Sequence, residues 1–274
     1  MNAKFRTIVV FLIATIGLLA CNTSLKAQND DDWDLDYFYW DDDEPTTTVK
    51  TNNNDLKNSI YYRSIFGEAE RKYMQAADKG DRDAQYKLGM CYLRGQGVEK
   101  DYSEAEKWIR KAADQGLADA QIVLGLMYLT GQGVQQNYTE AAKWTRKAAD
   151  QGNAIAQYFL GMMYFKGQGE QQNYTEAAKW TKKAADQGLA DAQYCLSLMY
   201  DEGIGVQQSD NETIRWLRKA AENGYADAQL VLGGFYYKGA DEYGIQKNLN
   251  EAKRWVQKAA NQGHKVAIEF LKCF

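Results

Sequence analysis

The sequence predicts an all-α protein in which helix-turn-helix units of about 36 residues stack into a solenoid. Three observations carry that expectation. Glycine recurs at Gly80, Gly116, Gly152, Gly188, Gly224 and Gly263, at intervals of 36 four times and then 39. Trp108, Trp144, Trp180, Trp216 and Trp255 keep the same register, and so do Tyr92, Tyr128, Tyr164, Tyr200 and Tyr236. The 274 residues include 23 Gly and a single Pro, a composition that suits helices joined by glycine turns.

Each unit reads as two helices. Helix A is seen in the run from Ala120 to Tyr128, where Ala120, Leu124 and Tyr128 recur at steps of four and form one stripe. Gly125 sits inside that helix, with Gly89, Gly161, Ser197 and Gly233 at the matching positions. A glycine in mid-helix costs roughly 1 kcal/mol relative to Ala, so its repetition implies a close approach by a neighbouring backbone. Gly131 then ends the helix. Helix B runs from Asn137 to Gly152, with Ala141, Trp144 and Ala148 on its buried face. It opens on a capping box, a short polar residue followed three positions later by Glu. The pairs are Asp101/Glu104, Asn137/Glu140, Asn173/Glu176, Ser209/Glu212 and Asn248/Glu251. The side chain of the first should hold a free helix N–H, and the Glu should answer from the first turn. Capping also accounts for the two Asn-Tyr-Thr sequons at Asn137 and Asn173.

A helix pair of this size cannot hide its apolar side, so stacking on the next pair is what gives it a core. Five full copies run 81–116, 117–152, 153–188, 189–224 and 225–263. Residues 57–80 read as an N-terminal capping helix, with Lys72 where the units carry Trp, and 264–274 as a C-terminal capping helix. The three extra residues of the last copy fall between Gly239 and Ile245, in a turn, where insertion costs little.

Residues 1–27 read as an export signal: Lys4 and Arg6 precede an apolar run, Ile8 to Ala20, that is short for a membrane span. Two cleavage points are open. Leu18-Leu19-Ala20-Cys21 has the form of a bacterial lipobox, which would lipidate Cys21 and anchor the mature chain to a membrane. Cleavage after Ala27 would release it as a periplasmic or secreted protein. Residues 28–56 form an acidic, aromatic linker without helical period, expected to be disordered. Residues 30–44 hold nine acidic residues and no basic one. They are read as a tether, or as a recognition segment using Trp33 and Trp40, and they lack the loop spacing of a calcium site. Cys91, Cys195 and Cys273 are too far apart in the repeat order or too few to pair within the chain, and are expected to be small core residues.

The units resemble the Sel-1-like repeat, a relative of the tetratricopeptide repeat. The shared pattern is Ala-Gln-x-x-Leu-Gly-x-x-Tyr-x-x-Gly-x-Gly-Val, then Asp/Asn-Tyr-x-x-Ala-x-x-Trp-x-x-Lys-Ala-Ala-x-x-Gly. Departures are Glu170 for Val in the third turn and Ser209-Asp210 for Asp/Asn-Tyr in the fourth. The resemblance implies a right-handed α-α superhelix that serves as a scaffold or adaptor for other proteins, with the concave face lined by helix A. Some exported relatives are linked to penicillin binding and β-lactamase activity.

Carried over by register, the partner-binding rows are Asp83, Asp119, Ile155, Asp191 and Asp227; then Tyr86, Ile122, Tyr158, Tyr194 and Leu230. A third row is Met90, Leu126, Met162, Leu198 and Gly234. The fourth is Leu93, Leu129, Phe165, Asp201 and Tyr237, beside Arg94, Thr130, Lys166, Glu202 and Lys238. Tyr86, Ile122, Tyr158, Phe165, Tyr194 and Tyr237 with Asp83, Asp119, Asp191 and Asp227 make the candidate face. Aromatic and Met enrichment is typical of interface centres, although the third and fourth rows also suit packing between helices. No catalytic group, metal site or cofactor is expected. His264 is the only His, read as a surface residue, and no nucleophile with a base surrounds it. No basic stripe suits nucleic acid. The Glu and Lys residues are expected on solvated outer faces. The leading expectation is therefore a non-enzymatic scaffold of the bacterial cell envelope binding a protein or peptide. The alternatives are a cell-wall binder or weak β-lactamase-like hydrolase, and a spacer without a defined ligand.

Overall fold

A computed structural model describes residues 73–274. The export signal with Cys21, the linker 28–56 with Trp33 and Trp40, and positions 57–72 of the expected capping helix lie outside the described residues. The described part divides into two compact units, residues 73–153 and Ala154–Phe274. In the first, a helical segment at 73–78 leads into α1 (Arg82–Arg94), α2 (Tyr102–Asp114), α3 (Ala118–Thr130) and α4 (Tyr138–Asp150). The second holds α5 (Ala154–Lys166), α6 (Tyr174–Asp186), α7 (Ala190–Glu202), α8 (Asp210–Glu222) and α9 (Ala226–Lys238). It continues with α10 (Leu249–Asn261) and the short α11 (Lys265–Phe270). Within each unit, successive helices pack in chain order. The all-α helix-turn-helix repeat expected from the spacing is the architecture observed.

The two helix types do different jobs because their apolar residues are spaced differently. Helix B is one-sided: α4 buries Ala141, Ala142, Trp144, Thr145, Ala148 and Ala149 while Lys143 and Lys147 stay exposed. Helix A is apolar on nearly every side, and α3 buries every residue from Ala120 to Met127. A helix of that kind is stable only when enclosed. The repeated mid-helix glycine makes the enclosure tight. A Cβ on Gly125 would sit 2.6 Å from Thr145 Oγ1 and 3.2 Å from the Ala141 carbonyl oxygen. A second glycine serves the stacking of one repeat on the last. Gly205 has φ +70°, and a Cβ there would lie 1.9 Å from the Tyr174 carbonyl oxygen at the start of α6.

The capping boxes form only by half. Asn137 Oδ1 accepts the N–H groups of Thr139 at 3.0 Å and Glu140 at 3.1 Å. The N–H of Asn137, however, donates to the Tyr128 carbonyl at 2.9 Å and not to Glu140. The same bond joins Asp101 to Tyr92, Asn173 to Tyr164, Ser209 to Tyr200 and Asn248 to Tyr236. The recurrent Tyr of helix A thus ties down the start of helix B through its backbone, and each Glu turns to a basic residue three positions on. Glu140 pairs with Lys143 at 3.2 Å, and Glu251 with Arg254 at 3.3 Å.

A buried amide links each repeat to its neighbours. Gln121 Nε2 donates back to the Ala113 carbonyl at 3.1 Å, and its Oε1 accepts from Gln151 at 2.7 Å. Gln193 does the same with Ala185 at 3.0 Å and Asn223 at 2.8 Å. Gln229 joins Ala221 at 2.9 Å to Gln262 at 2.8 Å. One side chain therefore bridges the end of the preceding helix B and the end of its own repeat's helix B.

Other expectations are extended or corrected by the packing. The recurrent Lys three residues after each Trp is exposed, as expected, and also covers the ring: Lys111, Lys147 and Lys183 each hold the ammonium 3.7 Å from the ring centre of Trp108, Trp144 and Trp180. Of the three described cysteines only Cys195 is a core residue; Cys91 is half-buried and Cys273 exposed. The extra residues of the last copy are not an idle turn. Ala240 and Ile245 exchange two backbone bonds at 2.8 and 2.9 Å around a 3-10 turn, Asp241–Tyr243. Tyr243 stacks on Phe235 at 4.9 Å and donates to Asp201 at 2.6 Å. The insertion thus reaches back onto the preceding repeat. Position 201 carries Asp where Leu93, Leu129 and Phe165 stand elsewhere, which supplies the acceptor for that phenol.

The half-formed cap makes a prediction. Asn137→Ala should cost about 1 kcal/mol, because it frees two N–H groups. Glu140→Ala should cost no more than a few tenths, the worth of an exposed ion pair. Urea midpoints of the two variants distinguish this arrangement from a reciprocal box, in which both losses would be similar.

Candidate functional site

The candidate rows lie on helices A, and their exposure follows from what each helix has beside it. In the unit of residues 73–153, Asp83 and Asp119 are exposed and Tyr86 is half-buried. Ile122 is fully enclosed at 0% exposure. Met90, Leu93, Leu126 and Leu129 are buried, and Arg94 and Thr130 half-buried. Asp119 Oδ1 accepts from Asn153 Nδ2 at 3.1 Å.

In the unit Ala154–Phe274, Ile155, Tyr158, Asp191 and Asp227 are half-buried, while Tyr194 is 1% exposed and Leu230 is buried. Met162 and Leu198 are half-buried. Tyr158 Oη lies 3.4 Å from Cys195 Sγ, and the Tyr194 ring packs on Tyr225 at 4.9 Å. Phe165 meets Tyr174 edge-on at 5.3 Å. Tyr237 meets Phe270 and Phe274 edge-on at 5.2 and 5.3 Å. Asp201 is buried under Tyr243, half-buried Lys166 is on α5, and Glu202 and Lys238 are exposed. The structure therefore brings Tyr158, Tyr194, Asp191 and Asp227 into one neighbourhood with Cys195 and Tyr225. Phe165 and Tyr237 are instead engaged with aromatic residues of their own.

Two partners of this group escaped sequence reasoning. In two places the residue that precedes a helix A bonds the Asp of the helix A before it: Asn153 bonds Asp119, and His264 Nε2 bonds Asp227 Oδ1 at 2.8 Å. His264 is thus not a lone surface residue. It is half-buried, and its Nδ1 also accepts the Ala267 N–H at 3.3 Å as the cap of α11. No matched change in the sequence gave these pairs away, since Asp83 has Leu117 at the offset where Asp119 has Asn153.

Burial dominates the electrostatics. It raises the Asp191 carboxyl above the ordinary carboxylate range, a backbone hydrogen bond opposes it, and the nearby Asp227 adds to the rise. Burial also pushes the Tyr225 phenol well up, helped by Cys195, Asp191 and Asp227. The phenol therefore keeps its proton, and the Asp191 carboxylate would be favoured by a donor or cation placed beside it. Among the described residues no three His, Cys, Asp or Glu side chains are placed to hold a metal ion. No described helix is long and apolar enough to cross a membrane.

A raised Asp191 has a consequence for stability. The folded carboxyl holds its proton more tightly than the unfolded one, so folding loses stability as pH rises through the raised value. Asp191→Asn should therefore raise the urea midpoint at pH 7 and leave it nearly unchanged near pH 3. A lower midpoint at pH 7 would contradict the cost assigned to this charge.

The Sel1 repeat family matches the chain at residues 82–117, 118–153, 154–189, 190–225 and 226–264. A Sel1 repeat protein from Oxalobacter formigenes is 34% identical, over 70% of this chain and 75% of its own, with a TM-score of 0.64. A second similar structure is c5321, a protective antigen of uropathogenic Escherichia coli strains with an SLR fold. It is 33% identical over 81% of this chain, with a TM-score of 0.67, and the match spans 51% of its length. No curated protein matches the chain. Five contiguous matches and the shared fold make the chain a member of the Sel1 repeat family.

Proposed function

We propose that this chain is a non-enzymatic adaptor of the bacterial cell envelope that captures a protein or peptide partner on the helix A rows. Sel1 repeat proteins generally act as scaffolds for protein interactions. The observation that carries the specific site is the gathering of Tyr158, Asp191 and Asp227 on successive helices A, α5, α7 and α9. Each is half-buried, and burial raises the carboxyl of Asp191 from its ordinary value. A carboxyl shifted by burial in this way is a candidate for function. The tyrosines supply broad contact area with a polar tip, and the carboxylates favour a partner that brings basic residues. Tyr86, Asp83 and Asp119 would serve the same role on residues 73–153. Ile122 and Tyr194, being enclosed, would support these contacts from beneath.

The envelope location rests on the export signal and the lipobox ending at Cys21. The mass of the N-terminus together with cell fractionation tests it: a lipidated Cys21, a start at Gln28 or an intact leader in the membrane fraction supports the envelope location, and an intact leader in the cytoplasmic fraction opposes it. The binding face is tested by placing a photo-crosslinking residue at Tyr158 or Tyr86, and at the outer Lys143 or Lys179, in intact cells. Capture of one protein from the first pair and not the second is expected. Equal capture from both pairs would remove the helix A rows as the binding face.

A further inference from the structure

Charge is placed unevenly along the chain. Residues 30–44 hold nine acidic residues and no basic one, interleaved with Trp33, Tyr37, Phe38, Tyr39 and Trp40. Residues 246–274 are the opposite, with six basic residues and two acidic ones. The residues between, 45–245, are close to balance with 24 basic and 26 acidic. The basic stretch forms α10, α11 and the turn that continues α11, all within the unit Ala154–Phe274. Both of its carboxylates are already engaged, Glu251 with Arg254 at 3.3 Å and Glu269 with Lys272 at 2.7 Å. Lys258 lies over the Trp255 ring at 4.4 Å. Lys253 and Lys265 stand exposed with no carboxylate of the stretch left over for them.

The same stretch leaves apolar side chains in water. Leu249, Val266, Ile268 and Phe274 are four of the six large apolar side chains that stand exposed among the described residues. Helix α11 packs through Ala267 on Leu230, Val256 and Ala259. That contact turns the residues on either side outward, Val266 at 54% exposure and Ile268 at 44%. Lys265, Ile268 and Lys272 follow at steps of three and four along α11 and its continuing turn, so cations and an apolar group share one face. Phe274 is set beside them by its edge-on contact with Tyr237 at 5.3 Å. This face is cationic and apolar at once, and residues 30–44 are anionic and aromatic at once. We propose that the segment 30–44 docks on this face in the same molecule. Its carboxylates meet Lys253, Lys265 and Lys272, while Trp33 and Trp40 cover Val266, Ile268 and Phe274. Opposite charge sets the partner and the register, and an exposed apolar patch is the kind of surface that such contacts cover. Residues 45–72 join the segment to the repeats and reach up to about 95 Å when extended, against roughly 10 Å for each packed helix layer. A segment tethered to its own target meets it at an effective concentration near millimolar, above that of a second copy in dilute solution. Cleavage before Cys21 and cleavage after Ala27 both leave 30–44 on the mature chain. The contact is independent of what binds the helix A rows.

The test is carbodiimide coupling of the full mature chain in dilute solution, which joins a carboxylate to an amine in contact with it, followed by peptide mapping by mass spectrometry. In the monomer fraction the carboxylates of 30–44 should couple to Lys253, Lys265 and Lys272 roughly ten-fold more than to Lys79, an exposed lysine much nearer to them along the chain. Salt at about 0.5 M, which shortens screening to roughly 4 Å, should remove that preference. Trp33→Ala combined with Trp40→Ala changes nothing inside the repeats and should also lower the coupling to Lys265. Ile268→Asp, at an exposed position, should do the same, with circular dichroism showing that its helix content is kept. Equal coupling to Lys79 and Lys265 overturns the docking. Coupling found only between molecules places the segment on a second copy and overturns it too. An unchanged yield in the double Trp variant would mean that charge alone attracts the segment, which contradicts the proposed contact.

Discussion

Helix B has an apolar face too wide to leave in water and too narrow to form a core by itself. On α8, Thr213, Trp216, Leu217, Ala220 and Ala221 are buried, and shelter comes from the helices A on either side. Trp216 and Leu196 share one cluster with Ala184 and Ala185 of α6, whereas Leu217 belongs to a second one with Leu232 of α9. Burying such side chains stabilises by about 1.5–3 kcal/mol each, so the favourable energy of one repeat is shared between the packing of its own two helices and its contacts with the repeats beside it. The rest of the fold adjusts distance and register for both kinds of contact. Glycine in mid-helix lets α3 close on Thr145, and the Gly205 turn sits against the start of α6. The Tyr carbonyl fixes where helix B starts, and the buried Gln holds two successive helix B ends at a set spacing. These polar ties add little net energy each, but leaving any one of them unmade inside the stack would be expensive. Their role is to reject wrong registers.

The same constraint shapes the candidate rows. Since helix A is enclosed on most of its circumference, few of its residues reach solvent, and those that do lie at its ends or on one narrow strip. Asp119 and Asp227 are each met by the residue that precedes the next helix A, so these carboxylates are held by contacts between repeats. A partner would meet half-buried tyrosines and carboxylates whose positions are already fixed, which lowers the ordering cost of binding. The insertion at Ala240–Ile245 shows how a single repeat can change this surface. Three extra residues bring Tyr243 over Asp201 and remove that carboxylate from the rim.

The architecture was legible because its determinants are residue identities repeated in phase. Gly116, Trp144 and Tyr128 announce helix ends, a buried face and a helix stripe without reference to anything distant. Less could be read where the partner is a backbone atom or a residue some 30 positions away. Glu140 looked like the second half of a capping box because the competing acceptor, the Tyr128 carbonyl, leaves no mark in the sequence. Gln121 was visible in the repeat pattern, but a lone amide in an apolar stripe does not disclose that it bridges Ala113 and Gln151. Among the site residues, register placed Tyr158, Asp191 and Asp227 on successive helices A. It did not separate them from Ile122 and Tyr194, because burial depends on how closely neighbouring helices approach. His264 was misread for the same reason, its partner Asp227 being 37 residues away in sequence.

The central claim is that each repeat is held by its neighbours through a shared buried amide and the apolar contact it registers. Hydrogen exchange across Ala154–Phe274 in Gln193→Ala measures this directly. The account predicts faster exchange at the ends of both α6 and α8, where the Ala185 carbonyl and Asn223 lose their common partner, as well as within α7. Loss of protection confined to α7, with α6 and α8 unchanged, would mean that the repeats are independent helix pairs and would contradict it.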